Sequence, residues 1–466
     1  MKICPKSVII TIIIVGVFVF LSFRADLVPV IGSYLGGELY GDQSTLDPKG
    51  PIAQSHLDSF MLTLWITVVL CVTVGGPFVY AMFAFKEKKG FDPKKDALPK
   101  QTHGNTKIEV SLIFYSTFLL LVIAFLPWGK EKIPAIAGIS YFFEGKSNKE
   151  GAITLPEDPP LTINVTGHQW WFSFHYPDQG IVTSNEMVFP VNTAVKINLE
   201  SADVIHSFWL AKIAGKVDLM PGQTNSMWLY SEETGNFSGQ CAEYCGDSHA
   251  YMLFRGIVST QEDFNKWVEA QKQPADVEGL QGKAKEGYDL FMGKTLYSES
   301  KKHGMEKNPV TCATCHILGT QPDFPFEPYR KSPYPNLTHF AERTTIAAGW
   351  RNMNPDQIKT WIQQPGKMKP GNRMWQKFAE AYGLIDADTT EDLFNRAQTR
   401  ANSHYPFFTN EEADAITAFL LTLKDPNAPN WGDPPLGKSK AEDTPARKAR
   451  DDKASKKSME QKLVKN

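Results

Sequence analysis

The sequence lacks an excess of charge of one sign, a dense set of cysteines, and long apolar runs beyond its first 128 residues. Its 49 basic and 51 acidic side chains leave a formal net charge of -2 over 466 residues, which argues against nucleic acid as a main partner. Six cysteines are too few for a disulfide-dense scaffold. The length predicts several domains rather than one.

Apolar residues are concentrated at the N-terminal end, in three uncharged runs. Residues 7–23 are typical of a signal peptide or a short membrane anchor, and the lack of an A-x-A-like cleavage site after them favours an uncleaved anchor. Residues 60–85 and 110–128 are each long enough to cross a hydrocarbon core about 30 Å thick. Lysines dominate the loop between them, which predicts a cytoplasmic loop and places residues 129–466 on the outer, periplasmic face of a bacterial inner membrane.

The outer part of the chain changes from strand-like to helix-like patterns near residue 261. Short alternating runs between turn signals predict an all-β sandwich or barrel. They lie at residues 161–166, 194–200 and 225–230. The helical unit that follows closes with an amphipathic helix over residues 410–424, for which Asn410 is the expected N-cap. The last 30 residues carry ten basic and five acidic side chains, and this composition predicts a disordered tail.

The densest chemical motif is the stretch GQCAEYCGDSHAYMLF at residues 239–254. It contains Cys241, Cys245, His249 and Met252, and His206 lies upstream. Soft sulfur and imidazole ligands in this combination favour copper, and two thiolates could bridge two copper ions. A disulfide between the cysteines and a Cys2His2 zinc site are the alternatives, although zinc has little use for the thioether.

A second motif, Cys312-Ala-Thr-Cys315-His316, lies in the helical unit. Its spacing allows two thioether bonds to haem vinyl groups and an axial histidine ligand, and therefore predicts one covalently bound haem c. The alternative, a disulfide beside a histidine, leaves His316 without a role. The second axial ligand must come from further along the chain. The candidates are Met353, Met368, Met374, His339 and His404.

The first motif and its surroundings resemble cytochrome c oxidase subunit II, a family with a cupredoxin-like domain that carries the binuclear copper centre CuA. The resemblance covers about residues 44–260. Its segments include HGNTKIE at 103–109, GHQWWF at 167–172, DVIHS at 203–207 and CAEYCGDSHAYM at 241–252. The copper ligands that it implies are the side chains of His206, Cys241, Cys245, His249 and Met252.

The resemblance also implies roles for three further residues. Glu243 would supply its backbone carbonyl to copper and its carboxylate to a magnesium ion at the boundary with subunit I. Trp170 would be the aromatic residue that admits electrons, and Glu109 would match a carboxylate near the mouth of a proton path. Glu109 and Trp170 also have a purely structural interpretation, as an acid at a helix end and as a core or surface aromatic.

The helical unit resembles the cytochrome c domain that is fused to some oxidase subunits II. The stretch KMKPGNRMW at residues 367–375 is similar to their Lys-Pro-Gly-x-x-Met loop. This resemblance implies that Met374, ahead of Met368, is the second axial haem ligand. A methionine and histidine pair raises the haem potential relative to two histidines, which suits an intermediate carrier that feeds copper.

The sequence therefore predicts a membrane-anchored multidomain protein with a transmembrane helical hairpin, an all-β cupredoxin-like sandwich and an all-α class I cytochrome c domain. The expected boundaries are 1–56 for the N-terminal anchor and outer segment, 57–130 for the hairpin, 131–270 for the sandwich, 281–424 for the cytochrome domain and 425–466 for the charged tail.

The predicted function is to admit electrons to a respiratory haem-copper oxidase, from a cytochrome c-type donor through haem c and CuA to subunit I. Dioxygen reduction and proton translocation would occur in subunit I, so this chain is expected to hold no catalytic residue. Expected partners are subunit I, subunit III, the donor and membrane lipid. Two alternatives are the CuA-bearing small subunit of a nitric oxide reductase and a membrane-anchored copper-delivery or redox protein.

Overall fold

The computed structural model describes residues 43–86, 90, 92, 104–125, 127–128, 133–134, 159–319, 334–383 and 407–431. The predicted N-terminal anchor, the charged tail beyond residue 431 and the candidate ligand His404 lie outside the described residues.

The N-terminal described part is dominated by apolar helices. Helix α1, Pro51–Leu70, continues through a π-helical turn, Cys71–Gly75, into α2, Gly76–Ala84. Together, residues 51–84 form the one helix in the described part of the chain that is long and apolar enough to cross a membrane. Helix α3, Thr106–Phe125, is also apolar and contacts α1. The predicted membrane helix is thus present, while the hairpin remains a prediction.

The strand-like part of the sequence forms a sandwich of two five-stranded sheets, as predicted. One sheet has the order β10-β7-β3-β4-β5 and the other β6-β12-β11-β8-β9. The strands are β3 Leu161–His168, β4 Trp171–Tyr176, β5 Ile181–Ser184, β6 Glu186–Pro190, β7 Val195–Ser201, β8 His206–Trp209, β9 Lys216–Leu219, β10 Asn225–Leu229, β11 Gly235–Cys241 and β12 Leu253–Ser259. Two shorter strands, β1 Pro127–Trp128 and β2 Ile133–Pro134, pair with each other before the sandwich.

Alternating side chains explain why these strands face each other across one core. Strand β3 buries Leu161, Ile163 and Val165, whereas the side chains between them are half-buried, because successive residues of a strand point to opposite faces. Phe254 of one sheet meets Phe172 of the other sheet in this core, with ring centroids 5.1 Å apart. Burying this apolar surface is the main stabilising contribution to the sandwich.

The helical unit follows helix α4, Gln261–Gln271, which leads out of the sandwich. Its elements are α5 Gly282–Phe291, α6 Ser298–Lys302, α7 Cys312–Cys315, β13 Thr345–Ile346, β14 Arg351–Asn352, α8 Pro355–Gln363, α9 Pro365–Met368, α10 Arg373–Ala381 and α11 Asn410–Leu420. Helices α5 and α11 pack against each other and bury Phe291 and Phe419, whose ring centroids are 5.4 Å apart. Pairing of β13 with β14 makes the unit mainly helical rather than wholly helical.

The prediction that Asn410 caps the last helix is wrong by one residue. The N-cap is Thr409, whose hydroxyl accepts the Glu412 N–H while the Glu412 carboxylate accepts the Thr409 N–H. This reciprocal capping box satisfies two backbone donors at once. Asn410 could not form this reciprocal pair of hydrogen bonds with Glu412. The capping box requires a spacing of three residues, and Glu412 is only two residues beyond Asn410.

A close approach of α5 and α11 generates a stability prediction. A Cβ atom at Gly287 would overlap the backbone carbonyl of Ala415, so Gly287→Ala should force the helices apart and lower the free energy of unfolding by about 1–3 kcal/mol. Denaturant titration of the full chain in detergent, followed by tryptophan fluorescence, measures this loss. The control is Glu286→Ala, an exposed neighbour on the same helix; equal stability of the two variants would contradict the prediction.

Candidate functional site

The predicted copper ligands converge at one end of the sandwich. The sulfur atoms of Cys241 and Cys245 lie 3.8 Å apart. Cys241 Sγ is 3.9 Å from His206 Nδ1. Cys245 Sγ is 3.5 Å from His249 Nδ1 and 3.8 Å from Met252 Sδ. Each sulfur therefore has its own imidazole, and the two halves of the cluster meet at the thiols.

The β11–β12 hairpin explains this convergence. Cys241 ends β11 and pairs through its N–H with the Met252 carbonyl, at 2.9 Å, directly before β12 begins. Ala242 donates its N–H to the Ser207 carbonyl at 3.0 Å, which ties the loop to the start of β8, where His206 lies. Ligands that are far apart in sequence are thus fixed by backbone hydrogen bonds rather than by their own side chains.

The chemistry of the donor set fits copper. His206, Cys241 and Cys245 have ligand atoms within 4.8 Å of one another, and all three are buried. Met252 is fully buried beside them, and a thioether suits copper better than zinc. A disulfide requires sulfurs about 2.05 Å apart, whereas these cysteines are free. The geometry therefore favours the metal interpretation over the disulfide.

Glu243 contributes its backbone rather than its side chain to this cluster. Its carbonyl oxygen lies 3.2 Å from Cys241 Sγ, while its side chain is exposed. The carbonyl is therefore close to the thiols, while the two roles that the resemblance implies for Glu243 stay predictions.

Hydrogen bonds shift the pKa values of the cysteines and of His206 in this cluster. The hydrogen bond between the two thiols lowers the pKa of Cys241, and the same interaction raises the pKa of Cys245. Burial opposes the charging of His206, but hydrogen bonds with Asp203 and Cys241 outweigh it and raise the pKa of this imidazole. The Asp203 carboxylate is 2.8 Å from His206 Nε2, which leaves Nδ1 directed at the thiol.

The haem motif lines a cavity at the boundary between the sandwich and the helical unit. Cys312, Cys315 and His316 form part of its wall. His316 Nδ1 lies 2.9 Å from the Pro335 carbonyl, and a donor bond there leaves Nε2 available to a metal. Burial raises the pKa of Cys312 to about 12, which keeps this thiol protonated. The cavity is lined mostly by apolar surface, and Cys312, Cys315 and His316 fit a covalently held haem.

Among the candidate second ligands that the structure describes, Met374 is the one that lines the cavity. Met374 lies on α10 and lines the cavity, whereas Met353, Met368 and His339 are not part of its wall. His339 is already engaged, since its ring nitrogens lie 2.8 Å from the Glu342 carboxylate and 3.1 Å from the Gln273 carbonyl. The assignment of Met374 ahead of Met368 as the second axial ligand stays a prediction.

Trp170 connects the two candidate sites. Its indole N–H donates to the Cys245 carbonyl at 2.9 Å, the residue lines the cavity beside Cys312, and only 8% of it is exposed. Glu109 lies far from both sites in the sequence, at the start of α3. Its carboxylate accepts the Asn105 N–H at 3.2 Å, so it has a capping role whatever else it does.

Two residues that the sequence analysis missed also adjoin the sites. Asp203 orients His206 from three positions away, a spacing that the segment DVIHS displays. Lys369 lies in the quoted loop KMKPGNRMW, yet it is 3% exposed and its ammonium donates to the Trp170 carbonyl at 2.6 Å. Burial lowers the pKa of Lys369 to about 7. No feature of the sequence alone indicates that this lysine is buried.

Comparison with known proteins gives matches to one family. Residues 179–258 match the family model of the cytochrome c oxidase subunit II periplasmic domain. The chain is 30% identical over 381 residues to cytochrome c oxidase subunit 2 of Alkalihalophilus pseudofirmus, a match that covers 82% of this chain and 91% of the relative. It is 31% identical over 373 residues to the Bacillus subtilis protein of the same name, with 78% and 92% covered. The chain belongs to the cytochrome c oxidase subunit II family.

A solved structure of this family is also similar. The periplasmic domain of subunit II from Bradyrhizobium japonicum is 38% identical and covers 24% of this chain and 93% of that domain, with a TM-score of 0.24. Membership of the family makes this protein a membrane-anchored oxidoreductase subunit with a copper-binding periplasmic domain. The predicted membership of the oxidase subunit II family is thereby confirmed, whereas the fused cytochrome c domain stays a prediction. The copper-delivery alternative loses its basis.

The Asp203–His206 contact generates a prediction about metal affinity. Asp203→Ala should weaken copper binding roughly 10- to 100-fold, because outer carboxylates that orient a ligating histidine contribute by about that factor. Competition with a chelator, monitored by copper absorbance of the full chain, measures the change. Asp178→Ala, an exposed carboxylate of the same sandwich, serves as the control, and unchanged affinity in Asp203→Ala would contradict the prediction.

Proposed function

We propose that this chain admits electrons to its oxidase through a covalent haem c and a binuclear CuA centre. The observation that carries the proposal is the position of Trp170, which lines the cavity beside Cys312 and whose indole N–H donates to the carbonyl of Cys245. One residue thus joins the wall of the proposed haem cavity to a cysteine of the proposed copper site.

The haem would be held by thioether bonds to Cys312 and Cys315 and by the axial ligands His316 and Met374. Helix α7 begins at Cys312 with a capping box between Thr311 and Thr314, which fixes the spacing of the two thiols. The Pro335 carbonyl fixes the tautomer and orientation of His316. These contacts hold the two thiols and the imidazole in place without any contribution from iron.

The copper pair would be bridged by the thiolates of Cys241 and Cys245 and completed by His206, His249, Met252 and the Glu243 carbonyl. When bound, the haem iron and the copper pair each take up and release one electron. Rigid backbone anchoring of the ligand loop favours rapid exchange, because little of the protein has to move when the charge changes.

The finer assignments concern partners and ions. The exposed Glu243 carboxylate supports a magnesium site at the subunit I boundary, and the apolar helices α1 and α3 support a hairpin in lipid beside subunits I and III. A cytochrome c-type protein would supply the electrons. For Glu109 we propose a position near the mouth of a proton path, in addition to its capping of α3.

Dioxygen uptake by the complex, purified through this chain and supplied with reduced cytochrome c, tests the function. We expect rapid cyanide-sensitive uptake in the wild type and its loss in Cys241→Ala, because removal of one bridging thiol destroys the copper site. A complex that consumes nitric oxide instead of dioxygen would support the small subunit of a nitric oxide reductase and overturn the proposal.

The axial ligand can be tested by a matched pair of methionine variants. Met374→Leu should lower the haem midpoint potential, because loss of a thioether ligand removes the stabilisation of reduced iron that a Met/His pair provides. Met368→Leu, a buried methionine outside the cavity wall, should leave the potential near that of the wild type. Redox titration of the covalent haem measures both, and the reverse ranking would assign the ligand to Met368.

A further inference from the structure

Polar contacts join the sandwich to the helical unit beside the Cys245 loop. We call this contact the docking seam, and its residues are Gln169, Trp170 and Ser248 of the sandwich and Lys369, Pro370 and Arg373 of the helical unit. The Lys369 ammonium donates to the Trp170 carbonyl at 2.6 Å, and Arg373 donates to the Gln169 side-chain oxygen at 2.6 Å. The Ser248 hydroxyl donates to the Pro370 carbonyl.

Lys369 is the unusual member of this seam. Its side chain is nine-tenths or more buried, and among the described residues it alone donates to the Trp170 carbonyl. Burial of an ammonium group is costly, and an apolar side chain of similar length often gives equal or greater stability at such a place. The lysine therefore does not serve the stability of the helical unit. Its one hydrogen bond instead specifies how the two units meet.

A second group of hydrogen bonds joins the sandwich to the helical unit. The buried Glu186 carboxylate, at the start of β6, accepts the backbone N–H groups of Thr344 and Thr345 at 2.9 and 2.8 Å, and their hydroxyls at 2.9 and 2.7 Å. Leu253 donates its N–H to the Ala348 carbonyl at 3.0 Å. The helical unit is thus also hydrogen-bonded to the sandwich at β6 and at the start of β12.

We propose that Lys369 is a positioning residue that locks the helical unit onto Trp170 and so fixes the distance between the two cofactor sites. The proposal rests on the function proposed above. In the step concerned, one electron leaves ferrous haem iron, which becomes ferric, and enters the oxidised copper pair; no bond is made or broken. Because a covered Trp170 cannot receive a separate protein, an external donor meets the haem unit and not this tryptophan.

The test compares Lys369→Met, Lys369→Arg and Lys367→Met in the purified complex. Lys367 is exposed and lies two residues away on the same segment, which makes it the matched control. In Lys369→Met, the amides of residues 167–171, 369 and 371–373 should exchange with deuterium roughly 10- to 100-fold faster, the factor expected for loss of a hydrogen bond to a charged group. Lys369→Arg should restore much of the protection, and Lys367→Met should match the wild type.

The second readout is the rate at which an electron placed on the haem by flash reduction leaves it, followed by haem absorbance. The proposal requires slower transfer in Lys369→Met and recovery in Lys369→Arg, with unchanged haem and copper content. It is overturned if transfer or seam exchange is unchanged in Lys369→Met. It is also overturned if exchange rises evenly across both units and arginine restores nothing, because Lys369 would then be purely structural.

Two measurements keep the result decisive. If Lys369→Met does not accumulate, Arg373→Gln, whose side chain is partly exposed, must show faster exchange of the same seam amides, or the proposal fails. Haem and copper content of the wild type is determined first. Their absence would defeat the proposed function, whereas the exchange experiment needs neither cofactor and would still decide whether Lys369 holds the seam.

Discussion

The approach of two buried thiols to 3.8 Å is the constraint on which the rest of this structure depends. Sulfurs at that distance can ionise together only if a cation lies between them, and in its absence one thiol donates to the other, which lowers the pKa of Cys241 and raises that of Cys245. The β11–β12 hairpin holds the thiols there through the backbone bond between Cys241 and Met252. A site formed by the backbone is prepared for metal before metal arrives, which limits movement when its charge changes.

The same loop determines how the helical unit can attach. The Cys245 carbonyl accepts hydrogen bonds from the side chains of Gln169 and Trp170, both at 2.9 Å. The Trp170 carbonyl in turn accepts a hydrogen bond from Lys369, and the Gln169 side-chain oxygen accepts one from Arg373. Polar contacts of this kind add little net stability, because each group loses its hydration. They do impose direction, so they select one relative orientation of the two units from the many that apolar packing alone would tolerate.

Local patterns account for most of what the sequence could predict. Alternation predicted the strands near residues 161, 195 and 225, and the spacing of Cys241, Cys245, His249 and Met252 predicted the cluster, since these features depend on neighbours in the chain. The cap of α11 was missed by one residue, because Thr and Asn are both good N-caps and only the reciprocal bond with Glu412 separates them. The seam could not be predicted, because Trp170 and Lys369 are 199 residues apart.

Fusion of the two units also changes what Trp170 can do. In a chain without the helical unit, an aromatic beside the copper loop would face solvent and could receive a separate donor. Here it is 8% exposed and forms a wall of the cavity that Cys312 and His316 also line. A separate donor protein must dissociate after each electron transfer, which limits how tightly it can bind. Two units of one chain do not have to dissociate, so their contact can be tight. A buried lysine, poorly suited to a transient interface because it must lose its hydration at every encounter, is acceptable where the encounter happens once, during folding.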